Sequence, residues 1–374
     1  MDGGRILHMV RLGLKKRSLA GLLLISAGLG IVIFGLYLYL PVGYDFYHWY
    51  WPVPRAWLSG ETRLYDEASR GFYLPPWTVW LLLPVSVVDI RIGMVGLTLL
   101  SLAMALYVSF AYLKGSGVSR PLPVALLAAL CPYCLQVYFV GTLDALSLMG
   151  VFLAWRGAKA GTPWLLGLGT ILALTRPQNA VLTGPVLLLG MRGWSAREMA
   201  QAAAIPVLVM LATFIGFGLD WPLRWWQNLH EAPPIPYLVT SSYDALKLLG
   251  VPYAFAVLGC AGLTVWTVRR AWKSGVNAET LNITVVVNAI VSPYMLSQSY
   301  LLLLALPWAR LAARRPLLAA VPYLMSIPLL FRAQAAVWDT LGLWDAAFPL
   351  VLLVALLVER GMGSAGEGGR RLDQ

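Results

Sequence analysis

The residue best placed for acid–base chemistry is Asp45. It lies just past the end of the first apolar run, within the aromatic segment 43–50 (GYDFYHWY). A carboxylate among aromatic rings at a membrane face is partly desolvated, and desolvation raises its pKa and makes it a stronger base. The alternative is an ordinary helix N-cap, a position that aspartate favours.

Arg176 is the cation best placed to hold an anion. It lies between two apolar runs, residues 163–175 and 177–191, of only 13 and 15 residues. Runs this short indicate that the connecting turn is sunk below the outer membrane surface. A buried arginine is costly without an anionic partner, and guanidinium binds phosphate in a bidentate way. A lipid phosphate would satisfy it; the alternative is a structural pair with Asp144 or another acid.

Three further polar residues lie at the same predicted face. Asp144 starts another apolar run and could face the same cavity as Arg176. His230 and Glu231 lie in a later outer loop, where they could contact sugar hydroxyls or phosphate. The simpler interpretation of this last pair is that of solvated loop residues.

Other patterns carry less chemistry. Cys131 and Cys134 have the spacing of a redox motif, but they lie inside the apolar run 122–140 with no βαβ pattern around them. The three histidines are widely separated and predict no metal cluster. No nucleotide-binding loop and no zinc-protease motif is present. The sequence therefore predicts neither a metal centre nor a required cofactor.

The elements that must position these residues are membrane helices. Hydrophobic residues make up 59% of the chain and charged residues 12%, against about 45–50% and about 25% in soluble domains. The net charge of +11 then indicates basic cytoplasmic loops rather than a nucleic-acid partner. The apolar runs predict twelve spans, at residues 19–39, 92–113, 122–139, 143–157, 163–175, 177–191, 198–218, 250–271, 279–296, 299–311, 316–331 and 336–358.

Charge indicates how these spans are oriented. An even number of spans places both termini on the same side. If that side is the cytoplasm, most of the 28 lysines and arginines fall there, as the positive-inside rule requires. The apolar run 76–88 is too short to span and is expected to be interfacial or re-entrant. Two long outer segments, 41–90 and 219–250, are rich in tryptophan and tyrosine. These rings are typical of an aromatic belt or of platforms for sugar rings.

Several short motifs follow one another in a fixed order. They are Asp45-Phe46, Ala56-Trp57-Leu58-Ser59-Gly60, Leu64-Tyr65, Phe72-Tyr73-Leu74-Pro75-Pro76 and Pro84, and later Gly141-Thr142-Leu143-Asp144-Ala145-Leu146, Leu174-Thr175-Arg176-Pro177-Gln178 and Ser292-Pro293-Tyr294. This order, which covers residues 43 to about 300, resembles the GT-C superfamily. It is most similar to glycosyltransferase family 87, the polyprenyl-phosphate-mannose-dependent α-mannosyltransferases. The chain departs from that pattern at Thr142, where the family has glutamine, at Arg176, where it has lysine, and at Ser297-Gln298-Ser299-Tyr300, where an acid is often found.

The resemblance implies an all-α, polytopic, GT-C-like bundle of about 12 transmembrane helices, with interfacial helices in the outer loops. Residues 1–360 would form this single domain, with outer catalytic loops 41–90 and 219–250, and residues 361–374 a disordered cytoplasmic tail. It also implies an inverting transfer of a sugar, expected to be mannose, from a polyprenyl monophosphate to a glycolipid or lipid-linked glycan on the extracytoplasmic face. Partners would be this donor, this acceptor and membrane lipids.

The resemblance implies a role for each site residue. Asp45 would be the general base, and Arg176 and Gln178 would bind the donor phosphate. Further substrate contacts are expected from His48, Tyr73, Asp144 and His230. A monophosphate leaving group among cationic side chains needs no obligatory metal. The alternative function is a transporter or flippase of lipid-linked saccharides, and a third possibility is an enzyme-like protein that binds without transferring.

Overall fold

The computed structural model describes residues 17–61, 63–66, 69, 71–231, 241–331 and 338–370. These residues form helices joined by turns, and no β-strand occurs among them. The expected all-α fold class is therefore confirmed for the described part of the chain.

The helices that lead up to the Arg176 turn and follow it come first in the chain. They are α1 (Arg17–Tyr39), α2 (Pro52–Leu58), α3 (Trp77–Ser86), α4 (Ile90–Gly115), α5 (Pro121–Ala129), α6 (Pro132–Val140), α7 (Asp144–Ala160), α8 (Pro163–Ala173) and α9 (Thr183–Leu188). A π-helical turn, Phe46–Tyr50, follows Asp45, and a 3-10 turn, Pro177–Asn179, follows Arg176.

The second half of the chain continues in the same manner. Its helices are α10 (Ala196–Phe217), α11 (Trp221–Glu231), α12 (Ser242–Leu248), α13 (Tyr253–Ser274), α14 (Ala278–Val291), α15 (Leu301–Leu303), α16 (Ala309–Arg314), α17 (Pro316–Leu324) and α18 (Trp338–Arg370). A 3-10 turn, Ser297–Tyr300, and a π-helical turn, Leu304–Trp308, join α15 and α16 into one helical run from Ser297 to Arg314.

Two described helices, α4 and α10, are long and apolar enough to cross a membrane, with 26 and 22 residues. The pair α5 and α6, bent by 57°, could form a third span. Several of the other expected spans contain shorter apolar helices among the described residues, such as α8 and α14. One reason is proline: the expected span 177–191 is divided into short turns around α9, where Pro185 lacks the N–H that a continuous helix needs. The bundle of about 12 spans therefore stays a prediction.

The segment that carries Asp45 is fixed by close backbone contacts at glycines. A Cβ atom on Gly43 would collide with the carbonyl group of Val140, at the end of α6. The next residue, Gly141, has a φ of 73°, and a Cβ there would lie 2.8 Å from the Cβ of the fully buried Phe46. Only glycine permits both approaches. The segment of Asp45 and the turn that leads into α7 therefore contact each other directly.

The two expected outer segments also pack together. The Asn228 side chain, on α11, accepts a hydrogen bond from the Gly71 N–H at 3.1 Å and donates one to the Phe72 carbonyl at 2.9 Å. The Trp225 indole donates to the Tyr73 carbonyl at 2.9 Å. A buried amide that satisfies two neighbouring backbone groups holds an irregular loop in one conformation. The loop that carries Tyr73 is thus clamped by α11.

The C-terminal end differs from the sequence expectation. Helix α18 continues to Arg370, into the segment 361–374 that was expected to be a disordered tail. Once a helical turn exists, each added residue gains a hydrogen bond at low entropic cost, which allows a helix to continue through weak formers. Residues 371–374 lie outside the described residues, as do residues 1–16.

The glycine contact can be tested by mutation. In Gly43→Ala the new methyl group meets the Val140 carbonyl, and such overpacking typically costs about 1–3 kcal/mol. The matched control is Gly96→Ala on α4, where a Cβ meets nothing within 4 Å. Thermal unfolding of the detergent-purified proteins should show a lower midpoint for Gly43→Ala alone. Equal midpoints for the two variants would contradict the close approach.

Candidate functional site

Three charged side chains meet at the centre of the candidate site. The Arg176 Nε atom lies 3.4 Å from an Asp144 carboxylate oxygen, and the Arg176 Nη2 atom lies 3.6 Å from an Asp45 carboxylate oxygen. The Asp144 side chain is fully buried and the Arg176 side chain is 8% exposed, whereas the Asp45 side chain is 21% exposed. One guanidinium is therefore shared between two carboxylates, of which only Asp45 faces an opening.

The sequence around Arg176 makes this turn. Pro177 disfavours helical backbone at the residue before it, and Arg176 adopts φ −127° and ψ 86° at the end of α8. The Asn288 side chain, on α14, then fixes the chain that follows. It donates to the Gln178 carbonyl at 3.0 Å and accepts from the Leu182 N–H at 2.7 Å. The guanidinium thus projects from a turn that is held at both ends.

Asp144 is satisfied by several neutral donors besides Arg176. The hydroxyls of Thr142 and Ser299 donate to its carboxylate at 2.7 and 2.8 Å, and the Asn179 amide donates at 3.1 Å. Its position as the first residue of α7 also places the negative charge where a helix dipole favours it. Asp144 is consequently a fixed anion that orients Arg176, with no exposed surface of its own for a substrate.

Arg176 keeps hydrogen-bonding capacity despite its two acidic neighbours. Its Nε and Nη2 atoms are buried and have no hydrogen-bond partner among the described residues. The separations of 3.4 and 3.6 Å exceed the roughly 2.7–2.9 Å of a charge-assisted hydrogen bond. A third, anionic group with well-placed oxygens would satisfy these donors, as the sequence argument for a phosphate requires.

Burial raises the pKa of Asp45 above the ordinary value of 3.8, and the nearby charge of Asp144 adds to this, while Arg176 opposes both. The carboxylate can accept a proton only above the raised pKa, so its basicity is lost as the pH falls through that value. The helix-cap alternative is not supported, because the Asp45 side chain makes no capping hydrogen bond and its backbone is already helical. Asp45 is thus partly desolvated, as the sequence predicts, and its role as a base stays a prediction.

Two tyrosines that the sequence argument did not assign to the site surround the charged cluster. Tyr50 and Tyr294 both lie within electrostatic range of Arg176, Asp45 and Asp144. Burial raises the pKa of each hydroxyl, so both remain neutral and available as hydrogen-bond donors at ordinary pH. Tyr294 belongs to the Ser292-Pro293-Tyr294 motif. This motif is the sequence feature from which its place in the site could have been predicted.

The other expected substrate contacts differ in their surroundings. His48 is exposed and its ring packs on Tyr44 with centroids 4.4 Å apart. Tyr73 is half-buried and lies within electrostatic range of Tyr44 and Tyr294. His48 therefore lies near Asp45, and Tyr73 lies near Tyr294, which is itself close to Asp45. Gln178 follows Arg176 in the 3-10 turn and contacts Asn288 through its carbonyl.

His230 has different neighbours. Its Nδ1 atom lies 2.8 Å from the Trp226 carbonyl, and its ring packs against the Trp226 indole. Its contacts among the described residues therefore lie within α11. The contacts of α11 instead support a structural role for this helix, through Asn228 and Trp225.

An apolar groove adjoins the Arg176 turn. It has a volume of about 200 Å³ and is lined by residues of α7, α8 and α9. Ala173 and Leu174, which line it, directly precede the turn, and Ala180 follows it. Arg176 itself does not line the groove, which is formed by the helices on either side of its turn.

The described residues contain no group of three or more histidine, cysteine, aspartate or glutamate side chains that could hold a metal ion. Metal independence stays a prediction. Comparisons of the chain with models of known families, with characterised proteins and with solved structures give no match.

The electrostatic account of Asp45 makes a prediction that needs no enzyme assay. Asp144→Asn removes the charge that raises the Asp45 pKa and leaves Arg176 to Asp45 alone. A carbodiimide that labels protonated carboxyls should therefore modify Asp45 with a midpoint above pH 3.8 in the wild type and at lower pH in Asp144→Asn. Mass spectrometry of the Asp45 peptide reads this out, with Asp45→Asn as the unlabelled control. Identical midpoints would contradict the coupling.

Proposed function

We propose that the protein is a multi-pass membrane glycosyltransferase of the GT-C type. It transfers a sugar, expected to be mannose, from a polyprenyl monophosphate to a glycolipid or lipid-linked glycan, with both termini in the cytoplasm and the site on the extracytoplasmic face. The observation that carries this proposal is the pairing of a carboxylate of raised pKa, Asp45, with a buried guanidinium, Arg176, that has two unused donors.

Asp45 supplies the basic half of the reaction. Its carboxylate takes the proton of an acceptor hydroxyl, and the hydroxyl oxygen attacks the anomeric carbon from the face opposite the phosphate. The bond between the anomeric carbon and the phosphate oxygen breaks, and the configuration inverts. General base catalysis of this kind typically contributes about 10²–10⁴-fold to the rate.

Arg176 supplies the electrostatic half. Negative charge grows on the phosphate as the glycosidic bond breaks, and a donor aimed at developing charge is typically worth about 10²–10³-fold. The two halves are coupled, because Arg176 is also the group that lowers the Asp45 pKa. As the leaving phosphate draws the guanidinium away, Asp45 becomes more basic at the moment when the acceptor proton must move.

The surroundings of the cluster support this assignment. The apolar groove beside Arg176 offers a surface for the first part of a prenyl chain. Exposed Tyr44 and Tyr47 flank Asp45 on the open side, where aromatic faces would pack on a sugar ring. Asp45, Asp144 and Arg176 all lie at turns and helix ends, as expected for chemistry at one membrane face and not for a path along the middle of the helices.

The first prediction concerns the base. Asp45→Asn keeps the size of the side chain but cannot take a proton, so transfer from a radiolabelled polyprenyl-phosphate sugar should fall about 10²-fold or more. Donor binding should persist, because the lost charge repels the phosphate. The matched control is Glu61→Gln, an exposed acid on the same outer segment, which should transfer normally. Near-normal turnover in Asp45→Asn would exclude Asp45 as the base.

The second prediction concerns the phosphate site. Arg176→Ala should reduce transfer about 10²–10³-fold, whereas Arg176→Lys should be milder because it keeps the charge. Removing the arginine also strands two carboxylates, and breaking a buried pair costs about 3–5 kcal/mol. The double variant Arg176→Ala/Asp144→Asn should therefore recover thermal stability without recovering transfer. Recovery of both thermal stability and transfer would show that Arg176 is a structural residue. The control for loss of an outer arginine is Arg91→Ala, because Arg91 is exposed.

A further inference from the structure

A second group of arginines surrounds a cavity at the other end of the helices. The cavity has a volume of about 560 Å³, and its charged lining consists of Arg310, Arg314, Arg315, Arg360, Glu279 and Glu359. The helical run from Ser297 to Arg314 links the two regions. Ser299 contacts Asp144 at one end, and Arg310 follows roughly 15–20 Å later at about 1.5 Å per residue. These arginines belong to the side that charge distribution predicts to be cytoplasmic.

Ion pairs within the cavity use only some of its cations. Glu279 lies 2.8 Å from the Arg270 guanidinium and 3.4 Å from that of Arg360. Glu359 lies 3.7 Å from the Arg314 guanidinium. Within the described part of the chain, Arg310 and Arg315 have no carboxylate at ion-pair distance. Two guanidinium groups are therefore left facing a cavity whose carboxylates are already paired.

Arg310 gives an independent indication of a ligand. Its Nε atom is buried and has no hydrogen-bond partner among the described residues. The Tyr112 hydroxyl donates to the Asn282 amide oxygen at 2.6 Å and also interacts with the Arg310 guanidinium, but this leaves the Nε donor unsatisfied. A buried guanidinium donor without an acceptor is unfavourable. An anion in the cavity would supply that acceptor.

We infer that this cavity binds a phosphate group. Guanidinium forks match the geometry of phosphate oxygens, and the cavity is larger than one phosphate, so it also admits the group that carries it. At the basic side of a membrane protein two sources share this chemistry, an anionic phospholipid headgroup and a soluble phosphate compound. The inference is independent of the transfer reaction, since none of its residues belongs to the Asp45 site.

The test uses the full-length protein, purified and delipidated in a neutral detergent. Two probes are titrated separately: inorganic pyrophosphate, read by thermal shift, and phosphatidylglycerol, read by native mass spectrometry. The variant Arg310→Gln/Arg315→Gln should lose roughly tenfold or more in affinity, because each lost fork removes charge-assisted hydrogen bonds. The charge-matched control is Arg156→Gln/Arg197→Gln, which removes two exposed arginines outside the cavity and should bind like the wild type.

The probe whose binding differs between the cavity variant and the control variant identifies the source of the phosphate group. Selective loss of phosphatidylglycerol assigns the site to a lipid headgroup, and selective loss of pyrophosphate assigns it to a soluble phosphate. Equal binding by the cavity variant and the control would overturn the inference, as would absence of binding of both probes to the wild type. If the double variant does not fold, Arg315→Gln alone is compared with Arg197→Gln, since both arginines are exposed and the same criteria apply.

Discussion

One buried guanidinium sets the arrangement of the part of the molecule that surrounds it. Arg176 is almost fully enclosed, and a buried charge is tolerated only where opposite charge and hydrogen bonds compensate it. Asp144 provides that charge, and it in turn needs Thr142, Ser299 and Asn179 as donors. These residues come from the turn before α7 and from the 3-10 turns that follow α8 and precede α15. The compensation of this one buried charge therefore requires three separate parts of the chain to meet.

The same cluster explains why Asp45 can lie beside an arginine and still have a raised pKa. A tight bond to Arg176 would hold its pKa low and make it a poor base. Instead Asp144 competes for the guanidinium, and the contact with Asp45 is a long one of 3.6 Å. Burial then outweighs the attraction, and the pKa rises. The second carboxylate thus adds to the basicity of the first, for which desolvation is the larger cause.

The sequence identified the charged members of this cluster but not their neutral partners. Asp45, Asp144 and Arg176 stand out because charges are rare in so apolar a chain. Ser299 does not, since hydroxyls are common in apolar helices and its partner Asp144 is 155 residues away. Helix type was predictable from the apolar runs, whereas helix breaks depended on local proline chemistry, as around α9. The contacts of α11 with the Tyr73 loop rest on the buried Asn228 amide and the Trp225 indole, which no periodicity marks.

The helical run from Ser297 to Arg314 bears on the choice between transfer and transport. At one end Ser299 contacts the Asp45–Arg176–Asp144 cluster, and at the other Arg310 lines the basic cavity. Between them residues 301–309 are apolar and buried. A saccharide moving along this run would meet no polar side chain from it, although such groups are what a polar substrate needs inside a membrane. Along this run the two polar regions are separated by apolar, buried side chains, which supports the proposal of chemistry at one face over passage between faces.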